Sequence, residues 1–131
     1  MRKLTLIGIA TLATTLLALV PAAFAGGQRD DRGVIKSGRC SAGATWKLKS
    51  KLDDGRLETE FEVDQNVVGR RWRVTIVKNG ARVFSGIRRT VAPSGSFEVR
   101  RLLGNAPGAD RITATARALG SGQTCRGSLA I

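Results

Sequence analysis

The chain has 131 residues, 42% of them hydrophobic and 5% aromatic, and its 22 Lys and Arg against 10 Asp and Glu give a net charge of +12. That length fits one domain. Histidine and tyrosine are absent and cysteine occurs twice, which removes every His-based catalytic dyad and most metal sites.

In chain order, Met1-Arg2-Lys3 supplies a positive start. An apolar run follows over residues 4–20, and Pro21-Ala22-Ala23-Phe24-Ala25 ends in an A-x-A site. Charge, apolar stretch and small cleavage-site residues together predict a signal peptide over residues 1–25. An uncleaved anchor is the alternative, because the apolar run is just long enough to span a thin bilayer. Residues 26–32 read as a flexible polar leader and residues 33–131 as a single domain. Cleavage would leave a secreted or envelope-associated protein, and in such a compartment Cys40 and Cys125 are expected to form one disulfide.

The domain alternates apolar and polar residues with period two, broken by turn residues about every eight to twelve positions, and no helix is predicted. A first strand is expected around 34–40. Next, Trp46, Leu48 and Leu52 share a face opposite Lys47, Lys49 and Lys51, while Leu57, Thr59, Phe61 and Val63 oppose Glu58, Glu60, Glu62 and Asp64. Folding these segments around Asp53-Asp54-Gly55-Arg56 sets Leu52 against Leu57, Leu48 against Phe61 and Trp46 against Val63. The same register sets Lys51, Lys49 and Lys47 against Glu58, Glu60 and Glu62. Hydrophobic and ionic patterns therefore select one register.

A second hairpin turns at Asn79-Gly80, whose residues tolerate the positive φ of a two-residue type I′ loop. An unbroken ladder from that turn pairs Lys78 with Ala81, Ile76 with Val83, Val74 with Ser85 and Trp72 with Ile87 on the core side. It leaves Arg71, Arg73, Thr75, Val77, Arg82, Phe84 and Arg88 on the other side, with Arg71 opposite Arg88 and Arg70 opposite Arg89. Strands are expected at 96–103, 110–118 and 123–131, with Ile112, Ala114 and Ala116 facing inward. A bulge or strand end near Arg100-Arg101 is expected, because unbroken alternation would point Arg101 into the core. The sum is about seven or eight strands in an all-β antiparallel sandwich with one disulfide.

The inward Trp46 and Trp72, the Asn79-Gly80 hairpin, the Gly95-Ser96-Phe97 strand entry and the Cys40/Cys125 pair resemble immunoglobulin-like or fibronectin-type-III-like sandwiches of small exported bacterial proteins. The resemblance covers residues 33–131 and implies a fold. Such folds host many unrelated roles, so it implies no activity.

Charge is uneven along the chain. Residues 26–69 carry eight basic and eight acidic side chains, whereas residues 70–131 carry twelve basic and two acidic, Glu98 and Asp110. Opposed arginines destabilise a sheet unless something anionic lies between them, and the guanidinium fork suits phosphate, sulfate and carboxylate. Arg71, Arg73, Arg82 and Arg88, with Phe84 beside them, form the candidate binding constellation. The sequence holds no Walker or G-x-G-x-x-G loop and no S-x-x-K dyad, and its adjacent carboxylates occur only at Asp30-Asp31 and Asp53-Asp54, so no catalytic residue, metal site or cofactor is expected. The expected function is a non-catalytic binding module for an anionic polymer or surface, namely cell-wall polymer, polysaccharide, nucleic acid or anionic lipid. The alternative is a protein–protein module, such as an exported inhibitor or envelope component.

Overall fold

The computed structural model describes residues 33–131, so the leader segments expected within residues 1–32 lie outside the described residues. The alternating segments form eight strands: β1 (Val34–Arg39), β2 (Thr45–Asp53), β3 (Arg56–Asp64), β4 (Arg71–Lys78), β5 (Ala81–Arg89), β6 (Ser96–Gly104), β7 (Arg111–Ala118) and β8 (Thr124–Ala130). All pairings are antiparallel, in two four-stranded sheets ordered β1-β2-β3-β6 and β5-β4-β7-β8.

The first hairpin takes the register that its two patterns select: Leu52 faces Leu57, Leu48 faces Phe61, and Lys51, Lys49 and Lys47 face Glu58, Glu60 and Glu62. The inward side chains of both sheets make one core that includes Leu48, Phe61, Val63, Trp72, Val74, Ile76, Ile112 and Ala114. Trp72 of β4 and Phe97 of β6 meet across the layers, ring centroids 6.2 Å apart. The buried indole N–H of Trp72 donates to Gln65 Oε1 at 3.0 Å, and the two buried hydroxyls Ser50 and Thr59 satisfy each other at 3.0 Å, as buried polar groups must. Trp46 lies over the backbone of β8. A Cβ built on Gly127 would come within 2.3 Å of its ring, so only glycine lets the indole close that side of the core.

The second hairpin departs from the expected ladder. Asn79 and Gly80 do form the turn, with φ of 50° and 81°, and Lys78 pairs with Ala81. Val83 is then an extra residue: Val77 faces Arg82, but Ile76 faces Phe84, Val74 faces Gly86 and Trp72 faces Arg88. This bulge reverses the sidedness of β5 beyond Val83. Phe84 turns into the core, 9% exposed, and Ile87 turns outward. The reversal buries an aromatic ring in place of a smaller aliphatic side chain, and Gly86 leaves room for it, since a Cβ there would stand 3.0 Å from the Phe84 ring. The bulge expected near Arg100-Arg101 does not form, because β6 keeps an unbroken register with β3 from Ser96 to Gly104. Arg101 does point inward. It can do so because β6 is an edge strand, where a long side chain escapes sideways and its guanidinium stacks on the Phe84 ring at 4.5 Å.

Two ties lock the layers. The Cys40–Cys125 disulfide joins the end of β1 to β8. At the opposite end, buried Asp110 accepts hydrogen bonds from Lys78 Nζ (3.0 Å), Asn79 Nδ2 (2.6 Å) and the Ala106 amide (3.1 Å). The β4–β5 turn is thereby tied to the β6–β7 loop. The Lys78 ammonium holds the Asp110 carboxyl below its ordinary value of 3.8, against the opposing effect of burial.

A group with a depressed folded pKa contributes stability that is present above its unfolded pKa and lost as pH falls through the folded value. The wild-type melting temperature should therefore drop as pH is lowered through and below about 3.9. Asp110→Asn should melt lower at neutral pH and lose part of that acid-side dependence, as read by circular dichroism melts across a pH series. Gly127→Ala should destabilise the domain by about 1–3 kcal/mol through overpacking against Trp46, measured by urea denaturation.

Candidate functional site

Strands β4, β5, β7 and β8 contain no Asp or Glu. Alternation sends Arg71 and Arg73 of β4, Arg82 and Arg89 of β5, Arg111 and Arg117 of β7, and Arg126 of β8 to the outer face, where all seven are exposed. The register places them in rows. Arg71 faces Arg89. Arg73 faces Arg117 on its other side. Directly opposed Cα atoms in an antiparallel pair lie about 4.5–5.5 Å apart, so four guanidinium groups gather at one end of the sheet. Below them lies a hydroxyl row, Ser85, Thr75 and Thr115, with Arg126 next to Thr115. A further row holds Arg82, Val77, Thr113 and Ser128, the last two joined by a 3.1 Å hydroxyl pair. Among the described residues none of the seven arginines forms an ion pair with a carboxylate. Chemically, the surface offers planar cationic donors and neutral hydroxyl donors, a combination that binds phosphate, sulfate or carboxylate oxygens.

The candidate constellation is thus divided. Arg71, Arg73 and Arg82 share the outer face as expected. Phe84 and Arg88 lie on the core side of β5, because of the bulge at Val83, and Arg71 faces Arg89 instead of Arg88. Arg88 stacks on Phe84 at 4.9 Å, with Arg101 on the same ring. These two arginines cover the open seam between edge strands β5 and β6. Lys36 on edge strand β1 also points to the core side, sharing the Leu48 position. Inward-pointing charges on edge strands discourage a further strand from adding there. Arg70 pairs with Thr90 and not with Arg89: its carbonyl accepts from the Thr90 amide and its amide donates to Thr90 Oγ1.

Arg89, Arg111, Arg117 and Arg126 complete the face and were not among the candidates. Period two alone puts Arg111 and Arg117 outward, opposite Ile112, Ala114 and Ala116. The pairing of β7 with β4 is what makes them neighbours of Arg73.

The outer face of the other sheet is different. Lys51 Nζ lies 3.9 Å from Glu58, and Arg100 reaches Glu60 at 2.7 Å, Glu98 at 3.6 Å and Glu58 at 3.9 Å. Basic and acidic groups there neutralise one another. A groove of about 710 Å³ beside β1, lined by Val34, Leu52, Leu57, Pro107 and Ile131, is largely aliphatic, with Lys51 its charged member. Among the described residues no group of three or more potential metal ligands occurs. No protein family, curated protein or solved structure matches the chain.

Opposed arginines should cost stability. Arg117→Glu places an opposite charge against Arg73 and should stabilise the domain by about 0.2–1 kcal/mol, measured by denaturant unfolding at low salt. The gain should shrink as salt rises.

Proposed function

We propose that the chain is a non-catalytic exported binding module that meets an anionic partner through the outer face of β5-β4-β7-β8. The observation that carries this reading is the set of seven outward arginines on a sheet with no carboxylate. The disulfide is compatible with an extracellular or periplasmic location. The strand order supports an immunoglobulin-like or fibronectin-type-III-like sandwich. β2-β3-β6 corresponds to the A-B-E half, β5-β4-β7-β8 to the C′-C-F-G half, and β1 adds one strand beyond A. The cysteines sit on an edge strand and just past another, not on the two central strands that an antibody-type bridge joins.

The choice among anionic partners follows from what the face lacks. Every aromatic ring in the described residues lies in or against the core, none outward on this face. Bases of a single strand would find no aromatic platform to stack on, so recognition on this face rests on anionic groups.

Retention on a sulfated polysaccharide matrix should therefore fall steeply as salt rises. Arg71→Glu with Arg117→Glu should elute at much lower salt while unfolding as cooperatively as wild type. Unchanged elution would remove this face from the account.

A further inference from the structure

The end of the sandwich where the four guanidinium groups gather has a second property. Its four loops, residues 40–44, 65–70, 90–95 and 119–123, contain no acidic residue. They expose Val67 (42%), Val68 (55%), Val91 (55%) and Leu119 (45%). These aliphatic tips are held together by hydrogen bonds. Buried Thr90 donates from Oγ1 to the Val67 carbonyl at 2.6 Å and accepts from the Arg70 amide at 2.9 Å. The Gly69 amide donates to the Thr90 carbonyl at 2.8 Å, and the Leu119 amide to the Arg71 carbonyl at 3.0 Å. Arginines stand directly behind: Arg39 ends β1, Arg70 and Arg71 lead into β4, Arg89 ends β5, and Arg117 lies one residue from the end of β7. Asp64, which ends β3 here, is taken up by the Asn66 amide at 2.9 Å, and the opposite end carries Asp53, Asp54 and Asp110.

We infer that the partner is an anionic lipid leaflet, docked end-on, with Val67, Val68, Val91 and Leu119 entering the headgroup boundary and the flanking arginines contacting lipid phosphates. This rests on the basic-face reading and narrows it. A soluble polyanion would use the arginines and gain nothing from aliphatic tips, whereas a lipid surface rewards both apolar burial and positive charge. Each arginine close to an anionic leaflet contributes about fivefold in partition.

The test is cosedimentation of the protein, in the form its host produces, with vesicles of phosphatidylcholine alone and of phosphatidylcholine mixed with phosphatidylglycerol. Elution from a sulfated polysaccharide column is measured in parallel. Wild type should partition onto the mixed vesicles and not onto phosphatidylcholine alone. Val68→Ser with Val91→Ser, which removes the aliphatic tips without adding charge, should lower that partition by more than about tenfold with column elution unchanged. Arg71→Glu with Arg89→Glu should lower both. A Val68→Trp variant should show a blue-shifted emission on mixed vesicles, a readout independent of whether the double serine variant folds. Unchanged partition of a folded serine variant, or no spectral shift, overturns the lipid assignment. Absence of vesicle binding with column retention intact overturns it and leaves the basic face standing. Failure of wild type in both assays overturns both.

Discussion

Two pairs of arginines, Arg71 with Arg89 and Arg73 with Arg117, face each other across strands of a sheet that has no carboxylate on any strand. Direct cross-strand opposition of like charges is unfavourable. Each guanidinium must therefore be screened by water, by counter-ions, or by a partner that supplies anionic oxygens. The core does not need the repulsion. Trp72, Val74, Ile76, Ile112 and Ala114 are buried whatever occupies the outer positions, so the arginines are free to serve solvent or a ligand, and they set the electrostatic character of that whole side.

The two outer faces obey the same alternation and reach opposite results. On β1-β2-β3-β6, Glu58 and Glu60 of β3 lie between lysines on β2 and the reach of Arg100 on β6, and Glu98, which faces Glu62, is also reached by Arg100, so that this face mixes both signs. Exposed pairs of this kind contribute little to stability, so their main effect is register. On β5-β4-β7-β8, register comes instead from the Asn79-Gly80 turn and from Asp110, which ties that turn to the β6–β7 loop. Without carboxylates of its own, the second sheet needs this single buried one at its rim, and Lys78 turns toward it and leaves the outer basic residues entirely to arginine.

Where two independent patterns agree in the sequence, structure follows them closely. The β2–β3 register is legible because shifting it by one residue would break both the apolar and the ionic series. In β5 the segment Ala81-Arg82-Val83-Phe84-Ser85-Gly86-Ile87 offers apolar side chains to either face. Periodicity alone cannot choose between Val83 with Ile87 and Phe84 with its neighbours. Packing chooses: the ring fills the gap between β5 and β6, and the bulge follows. The direction of Arg101 was hidden for a related reason, since an inward arginine is implausible on a central strand and tolerable on an edge, and edge position is a tertiary fact. The pairing of β7 with β4, which turns Arg117 and Arg111 from scattered charges into part of a surface, is likewise invisible to local patterns.

The choice of cation on each sheet bears on what the second one is for. Lys47, Lys49 and Lys51 stand opposite glutamates on β3, whereas every outward basic residue of β5-β4-β7-β8 is an arginine. Solubility is served by either residue. They differ in that lysine is a strongly hydrated point charge, while arginine is weakly hydrated and presents a planar fork matched to two oxygens of one anion. A face kept soluble by charge alone would have no reason to exclude lysine. One that must exchange its water for phosphate or sulfate oxygens would, because guanidinium loses less on desolvation and gains paired hydrogen bonds on contact. The segregation therefore favours a surface that is dry when occupied over one that is only wet, and the aliphatic loop tips at its crowded end extend the same preference.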